Sequence, residues 1–485
     1  MEKIMRIFNK LTKQTSLAHI AIITVISTFI IRFVTLSMYP LMDTTEARYG
    51  EMARIMAETG NWITPMFDYN VPFWGKPPLF SWLSAASIKL LGNSEFAVRL
   101  PHLLVGILIT IMTYLFAKKV QKNNTVALLS AAILATSTAF IVISGAVMTD
   151  TALTFAITLS MVSFWRNWQQ PSLFFGLLFF VGLAIGMLAK GPLTLVLVGM
   201  SIILWSLSDG RWRLLYAKLP WGYGLVTFLV LTLPWYLLAE WKTPGFLHYF
   251  IIGEHFMRFV VSGWKGDLYG TAHEELRGTI WLFALLATLP WSPLFIWQLI
   301  KRLKAGGDSK SSSDGYLSFL WCWMLAPLFL FTFAGNILTS YVMPSIPAFA
   351  LLLSRYQSEQ PLNKNVYTIG FITPILLFIT AIVLGSGVTG KTADNRLLTI
   401  WKQQPEHNQS ALVYLGKRPF SAQYYSDGKA VRSEAKPDQL LADLNKSTFI
   451  VLSNTQDNLR DIQQYPNCQQ RGKTSERILY YCSIN

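Results

Sequence analysis

Asp43, Glu46 and Arg48 stand in one short run, Asp43-Thr44-Thr45-Glu46-Ala47-Arg48-Tyr49, which brings two carboxylates and a guanidinium together. A carboxylate held in place can take a proton from an acceptor, and a guanidinium can grip two phosphate oxygens at once. Lys76 follows in Pro72-Phe73-Trp74-Gly75-Lys76-Pro77-Pro78, where prolines and aromatic rings limit its freedom. It is either a cation that snorkels to lipid headgroups or a fixed charge for a phosphate. Further along come Asp150, Lys190 before Gly191-Pro192, His255 and Arg258 in Gly253-Glu254-His255-Phe256-Met257-Arg258, and Tyr341 before Pro344.

Each residue also has a plain structural reading. Asp43-x-x-Glu46 is a helix-capping pattern, and a lone Asp such as Asp150 is more often an N-cap than a catalyst. Capping and catalysis are compatible, because a cap holds its carboxylate in one rotamer. As a set, the residues suit a phosphate-linked sugar: cations for the phosphate and a carboxylate to deprotonate the acceptor.

The elements that must position them are membrane spans. Of 485 residues, 52% are hydrophobic and 14% charged, against about a quarter charged in a soluble domain. Apolar runs long enough to cross a bilayer, roughly 20 residues each, recur from Leu17 to Leu384. The expected spans are 17–38, 95–117, 124–143, 149–165, 172–189, 193–207, 219–239, 279–299, 315–333, 341–354 and 366–386, about eleven in all. Met1–Ser16 is polar and basic, and the run behind it is long enough to stay as a span.

The net charge of +15 would suit a nucleic-acid partner, but its placement argues against one. Lys and Arg gather in alternate loops, among them Lys118, Lys119 and Lys122, Arg213 and Lys218, and Lys301, Arg302 and Lys304. That is the positive-inside pattern, with the N-terminus in the cytoplasm. Every candidate residue then falls at the non-cytoplasmic side, on loops 38–94 and 240–278 or at span ends. An odd number of spans puts the C-terminus there too.

Tyr49, Met52, Ala53 and Met56 follow amphipathic-helix spacing, and the helix is expected to lie in the membrane interface with its polar face to water. Residues 1–390 read as the membrane domain and 391–485 as a small α/β domain outside the cytoplasm. Strands are expected at Ala411–Leu415, Thr448–Leu452 and Ile478–Tyr481, and a helix near Pro437–Leu444. Cys468 and Cys482 are either disulfide-bonded or free thiols, and Cys322 is a packing residue inside a span. The fold class is an all-α polytopic membrane protein with amphipathic loop helices and a small α/β tail.

The run Asp43-Thr-Thr-Glu46-Ala-Arg48-Tyr49, then Thr59-Gly-Asn-Trp62, then Lys76-Pro77-Pro78, resembles the lipid A 4-amino-4-deoxy-L-arabinose transferases and the wider protein O-mannosyltransferase-like superfamily. Asp150, Lys190-Gly-Pro, Pro234-Trp-Tyr, Glu254-His255-x-x-Arg258, Pro290-Trp-Ser and Tyr341-x-x-Pro344 continue it in order. The resemblance implies a GT-C fold and a polyprenyl-phosphate sugar donor, undecaprenyl in bacteria. The acceptor would be lipid A, another glycan or a protein at the periplasmic face of the inner membrane. It also implies Asp43 or Glu46 as the base or acceptor-orienting group and Asp150 as a second carboxylate. Arg48, Lys76, Arg258 and Lys190 would hold the donor phosphate, with His255 and Tyr341 nearby. No cofactor is implied with certainty, and a divalent cation is left open.

Two departures stand out. The arabinose transferases typically read Pro-Asp-Glu where this chain has Thr44-Thr45-Glu46, and Glu where it has Gly75. The alternative function is a lipid-linked sugar flippase or transporter. It would call for broken helices, mid-membrane charges and internal repeats, none of which the sequence displays.

Overall fold

Lipid offers no partner to backbone N–H and C=O groups, so apolar runs of this length satisfy them internally as helices. In the computed structural model every expected span is helical. The structure describes residues 2–208, 212–270, 273–304, 315–360, 363–387, 393–434, 446–455, 462 and 465–483. Among them, five helices are single rods long and apolar enough to cross a membrane: Thr15–Thr35, Glu95–Gln121, Leu173–Lys190, Trp221–Lys242 and Lys364–Ser386. Two more candidates are bent pairs, Asn124–Thr136 with Thr138–Ser144 at 66° and Thr279–Ala287 with Ser292–Lys304 at 109°.

The bent pairs correct the expected absence of broken helices. Among the described residues, five helices, or seven if each bent pair is one span, meet the length and composition of a membrane span, and the shorter apolar helices Leu193–Ser208 and Tyr316–Thr332 fall at other expected spans. The helix Thr149–Gln169 falls short because it is polar: Thr151, Thr154, Thr158 and Ser160 are all buried in protein. The two breaks meet, with Thr138 N–H donating to Leu289 C=O at 3.0 Å. Neither break carries an ionisable residue, so neither resembles a transport site.

Loop one folds as the helix Thr45–Thr59, a short hairpin of β1 (Met66–Asp68) and β2 (Val71–Pro72), and the helix Leu79–Leu91. Gly60 ends the first helix at φ 70° with its N–H on Met56 C=O, a left-handed turn that suits glycine. The expected apolar face is present: Tyr49, Met52, Ala53 and Met56 pack with Phe73, Phe80 and Val98. Most of the polar face does not meet water, however, and only Glu58 and Thr59 at its end are exposed. Glu51 and Arg54 are also buried, joined by two bonds of 2.7 Å, and Arg54 also reaches Tyr69 at 3.0 Å. This face lies beneath the C-terminal region, whose Tyr424 ring approaches Gly50.

The C-terminal region is a five-stranded sheet of β3 (Ala411–Leu415), β4 (Ala430–Ser433), β5 (Thr448–Ser453), β6 (Cys468–Lys473) and β7 (Arg477–Cys482), in the order β4-β3-β5-β7-β6. β3 runs parallel to β4 and β5, while β7 is antiparallel to β5 and β6. The helix Asn395–Lys402 covers one face, with Leu397, Leu398 and Trp401 on Leu412, Tyr414 and Phe449. Strands β4 and β6 are additions to the sequence reading. Both are sheet edges rich in polar residues and carry no apolar alternation to announce them. Cys468 and Cys482 sit opposite each other across β6 and β7 and form a disulfide. The helix expected at Pro437–Leu444 lies outside the described residues.

Candidate active site

The N-terminus of the helix Thr149–Gln169 and the C-terminus of Leu173–Lys190 place Asp150 beside Lys190. Lys190 Nζ donates to Asp150 Oδ1 at 2.6 Å, and both side chains are buried. Lys190 Nζ also lies 4.4 Å from the centre of the Tyr341 ring. The chain leaves this helix at Gly191 with φ 79°, where a Cβ would strike the Phe250 ring. A glycine is therefore required twice over.

The loop 240–278 supplies Glu254 and Arg258 from consecutive turns. Arg258 Nη1 donates to both Glu254 oxygens at 2.9 and 3.1 Å, and Lys76 of loop one also pairs with Glu254. Arg258 reaches Asp267 at 3.4 Å. Burial pushes the Glu254 carboxyl up, but Lys76 and Arg258 outweigh it and hold the group below its ordinary value. Burial, then Arg258, depresses Lys76 against the pull of Glu254. The backbone of Arg258 is fixed by Asn336 Nδ2, which donates to its carbonyl at 2.7 Å.

These groups line a cavity of about 720 Å³ together with Thr44, Thr45, Arg48, Phe73, Gly75, Tyr269 and His273. Arg48, Lys76, Lys190 and Arg258 set four cations against the three carboxylates of Asp150, Glu254 and Asp267. Among the described residues Arg48 has no carboxylate partner. It donates to Tyr269 C=O at 2.6 Å, its ring neighbour is Tyr49 at 5.1 Å, and its buried Nε is unpaired. A cavity with one unbalanced cation is built for an anion.

A second cavity of about 490 Å³ adjoins the first. It shares Lys76, Lys190, Glu254, Arg258 and Tyr341 and adds the apolar walls of Leu193, Phe259 and Phe331. His255 lines this second cavity with Nδ1 2.7 Å from Phe250 C=O and Nε2 3.1 Å from Lys190 C=O. Burial, then Lys76, holds its pKa below the ordinary value, and a neutral imidazole can donate to only one of the two carbonyls.

Comparison with known proteins places the fold in a known setting. The Dolichyl-phosphate-mannose-protein mannosyltransferase family profile matches residues 13–250. The chain is 27% identical over 354 residues to the undecaprenyl phosphate-alpha-4-amino-4-deoxy-L-arabinose arabinosyl transferase of Enterobacter sp. strain 638, a match covering 71% of the chain and 60% of that protein. The protein of the same name from Yersinia pestis strain Pestoides F is 26% identical over 397 residues, 79% of the chain and 66% of the relative. The crystal structure of ArnT from Cupriavidus metallidurans bound to undecaprenyl phosphate superposes with a TM-score of 0.79 at 16% identity, covering 95% of this chain and 97% of that one. The apo form of the same protein gives 0.72. This chain has the GT-C membrane fold of that structure and resembles the arabinosyl transferases in sequence.

Within that fold, the expected site residues divide. Arg48, Lys76, Asp150, Lys190, Arg258 and Tyr341 line the first cavity, and His255 lines the second. Asp43 and Glu46 line neither, which corrects their expected place at the reacting centre. Glu46 is buried and accepts from Arg99 Nε and Nη2 at 2.8 Å each. Burial raises it, but Arg99 outweighs burial and holds it below its ordinary value. Arg99 in turn donates to Leu36, Tyr39 and Pro40 carbonyls, so the pair ties the end of the first span to loop one.

Asp43 turns the other way, accepting from Ser421 N–H at 3.1 Å and from the Ser421 hydroxyl. It is not a cap: Thr44 is the N-cap residue and makes no side-chain cap bond. Glu46 does reach back, to Met42 N–H at 3.2 Å. Sequence reasoning passed over Thr44, Thr45, Asp267, Tyr269 and His273 as site residues. For Asp267, Tyr269 and His273 the only signal was their place on loop 240–278, whereas Thr44 and Thr45 stand where the arabinose transferases carry Pro-Asp. Among the described residues no three His, Cys, Asp or Glu side chains converge as a metal site, and the Phe73 ring fills the space beside Gly75.

Proposed function

We propose that this protein is a glycosyltransferase that moves one sugar from a polyprenyl phosphate to an acceptor at the periplasmic face of the bacterial inner membrane. The observation that carries this reading is the pair of adjoining cavities, one polar with an unbalanced cation and one walled by apolar side chains, that share Lys76, Lys190, Arg258 and Tyr341. A phosphate joined to a prenyl chain has that same division. The names of the sequence relatives favour undecaprenyl phosphate as carrier and 4-amino-4-deoxy-L-arabinose as a first sugar to test. Lipid A, another glycan or a protein hydroxyl would be the acceptor.

In this reaction the acceptor oxygen bonds to the anomeric carbon as the bond from that carbon to the phosphate oxygen breaks. The electron pair stays with the polyprenyl phosphate, whose charge grows by one. Lys76, Arg258 and Lys190 offset that charge, with Tyr341 beside them, and His255 supports the Lys190 backbone. Asp150 takes the acceptor proton, and Arg48 holds an anionic oxygen at the loop-one end of the cavity. The phosphate is already a fair leaving group, so positioning and electrostatics supply most of the acceleration. Residues 1–390 would form the catalytic membrane domain, with a cytoplasmic N-terminus, and 391–485 a periplasmic domain.

Reconstituted protein supplied with polyprenyl-phosphate sugars and candidate acceptors, with the products read by mass spectrometry, tests this. A glycosylated acceptor and free polyprenyl phosphate are expected. Movement of the lipid across the bilayer with its glycosidic bond intact would instead support a flippase.

A further inference from the structure

Asp43 and Ser421 are 378 residues apart in sequence, and Asp43 is half-buried where it meets the buried Ser421. The Ser421 N–H and hydroxyl both donate to Asp43, one to each carboxylate oxygen. Two residues upstream, Leu41 N–H donates to Tyr425 Oη at 2.8 Å, and the same hydroxyl donates to Glu95 Oε1 at 2.8 Å. Asp68 of the β1–β2 hairpin accepts from Gln423 Nε2 at 2.6 Å and from Arg418. The short helix Phe420–Tyr425 thus grips loop one at Leu41, Asp43 and Asp68.

The grip lies directly against the cavity. Thr44 and Thr45, the next residues after Asp43, line it, and Arg48 is one helical turn further on. A second line of contact runs from the same helix. Phe420 packs on Phe67 with ring centres 5.2 Å apart, Phe67 packs on Tyr269 at 5.1 Å, and Tyr269 C=O accepts from Arg48. Both lines end on the guanidinium that has no carboxylate partner.

We infer that Asp43 and Ser421 form a latch through which the C-terminal sheet region positions Thr44, Thr45 and Arg48 in the cavity, with Asp43 a positioning residue rather than the base. Fixing the backbone at Leu41 and Asp43 sets the direction in which the loop-one helix starts. An error of about 1 Å at a substrate-holding group is enough to cost on the order of 100-fold in rate. The role of the latch in turnover rests on the glycosyltransferase reading, but its role in holding loop one does not.

The test uses the full-length protein in nanodiscs, carrying Ser421→Ala, Ser421→Thr, Asp43→Ala or Asp43→Asn. Hydrogen–deuterium exchange is read over residues 41–48, with the helix Thr149–Gln169 as a folding control. Transfer is read with the undecaprenyl-phosphate sugar that the wild type uses. Ser421→Ala is expected to speed exchange over 41–48 by about tenfold while the control helix is unchanged. It should lower kcat by about tenfold with the donor KM unchanged. Ser421→Thr should restore both. Asp43→Asn keeps an oxygen for the Ser421 N–H and should fall between wild type and Asp43→Ala. The double Ala variant should be no worse than the worse single one.

Wild-type exchange and kcat in Ser421→Ala would overturn the inference. So would loss of transfer in Asp43→Asn with exchange over 41–48 unchanged, since Asp43 would then act by its own chemistry. If the wild type transfers no sugar, the functional reading fails, and the exchange measurement still decides the latch.

Discussion

Lys190 Nζ lies 2.6 Å from Asp150 Oδ1, with both side chains all but removed from solvent, where the ends of two neighbouring helices meet at the cavity wall. The pair joins the cavity's acid chemistry to its structure, since neither charge can be deleted without stranding the other.

Asp150→Asn should therefore lower transfer by about 100-fold or more, the range of a lost general base. It should also destabilise the protein by about 3–5 kcal/mol, because Lys190 is left buried without a counter-charge. Adding Lys190→Met should recover much of the thermal midpoint and none of the activity. Recovery of activity in the double variant would remove Asp150 from the chemistry.

Arg48 behaves differently because it has no carboxylate partner among the described residues. Arg48→Gln should lower kcat/KM by about 10–100-fold, the loss of one or two charge-assisted bonds to an anion. Its thermal midpoint should stay at the wild-type value, and its activity should become less sensitive to salt. A large fall in thermal midpoint would mean that Arg48 is structural.

Acid should act through Glu254, whose carboxyl is held below the ordinary 4.5 by Lys76 and Arg258 despite burial. A carboxylate lowered in the folded state stabilises it above the ordinary value and loses that contribution as pH falls through the lowered one. Thermal stability should hold down to the ordinary carboxylate range and decline below it. Glu254→Gln should flatten that acid step and lower stability at neutral pH, and denaturation curves across pH will show whether it does. Asp43 has the opposite sign, its carboxyl being raised by burial against the Ser421 bonds. Asp43→Asn should accordingly cost less stability at neutral pH than Asp43→Ala, since it removes the penalised charge and keeps one of the two bonds.

The disulfide joins residues 14 apart in sequence on neighbouring strands. Replacing Cys468 and Cys482 by serine should remove about 3 kcal/mol from the C-terminal sheet, the loop-closure value for a ring of this size. The effect should appear as earlier unfolding of β6 and β7 in exchange measurements. Activity well below that transition should be unchanged, since neither strand reaches the cavity.

Much of the site was legible because chemistry and topology coincide. Lys76, Asp150, Lys190, Arg258 and Tyr341 were readable as ionisable or aromatic groups at the ends of apolar runs or on the loops between them, and the structure gathers all five around one cavity. Asp43 and Glu46 were misplaced because proximity along the chain says nothing about direction. Asp43 precedes the helix and points to Ser421, whereas Glu46, in its first turn, points inward to Arg99. Local pattern predicted a cap and an interfacial helix. The C-terminal region overrode both by covering the polar face.

By itself, the sequence determined the helices, their membrane setting and the charged groups at the ends of the apolar runs. Burying apolar surface and satisfying backbone groups in lipid leave a chain of this pattern few alternatives. Only the tertiary structure decided which carboxylates face the cavity, which cation there lacks a carboxylate partner, and that the C-terminal sheet closes over loop one. Those outcomes depend on contacts between residues hundreds of positions apart, such as Asp43 with Ser421. No local period of 3.6 or 2 encodes a contact of that kind.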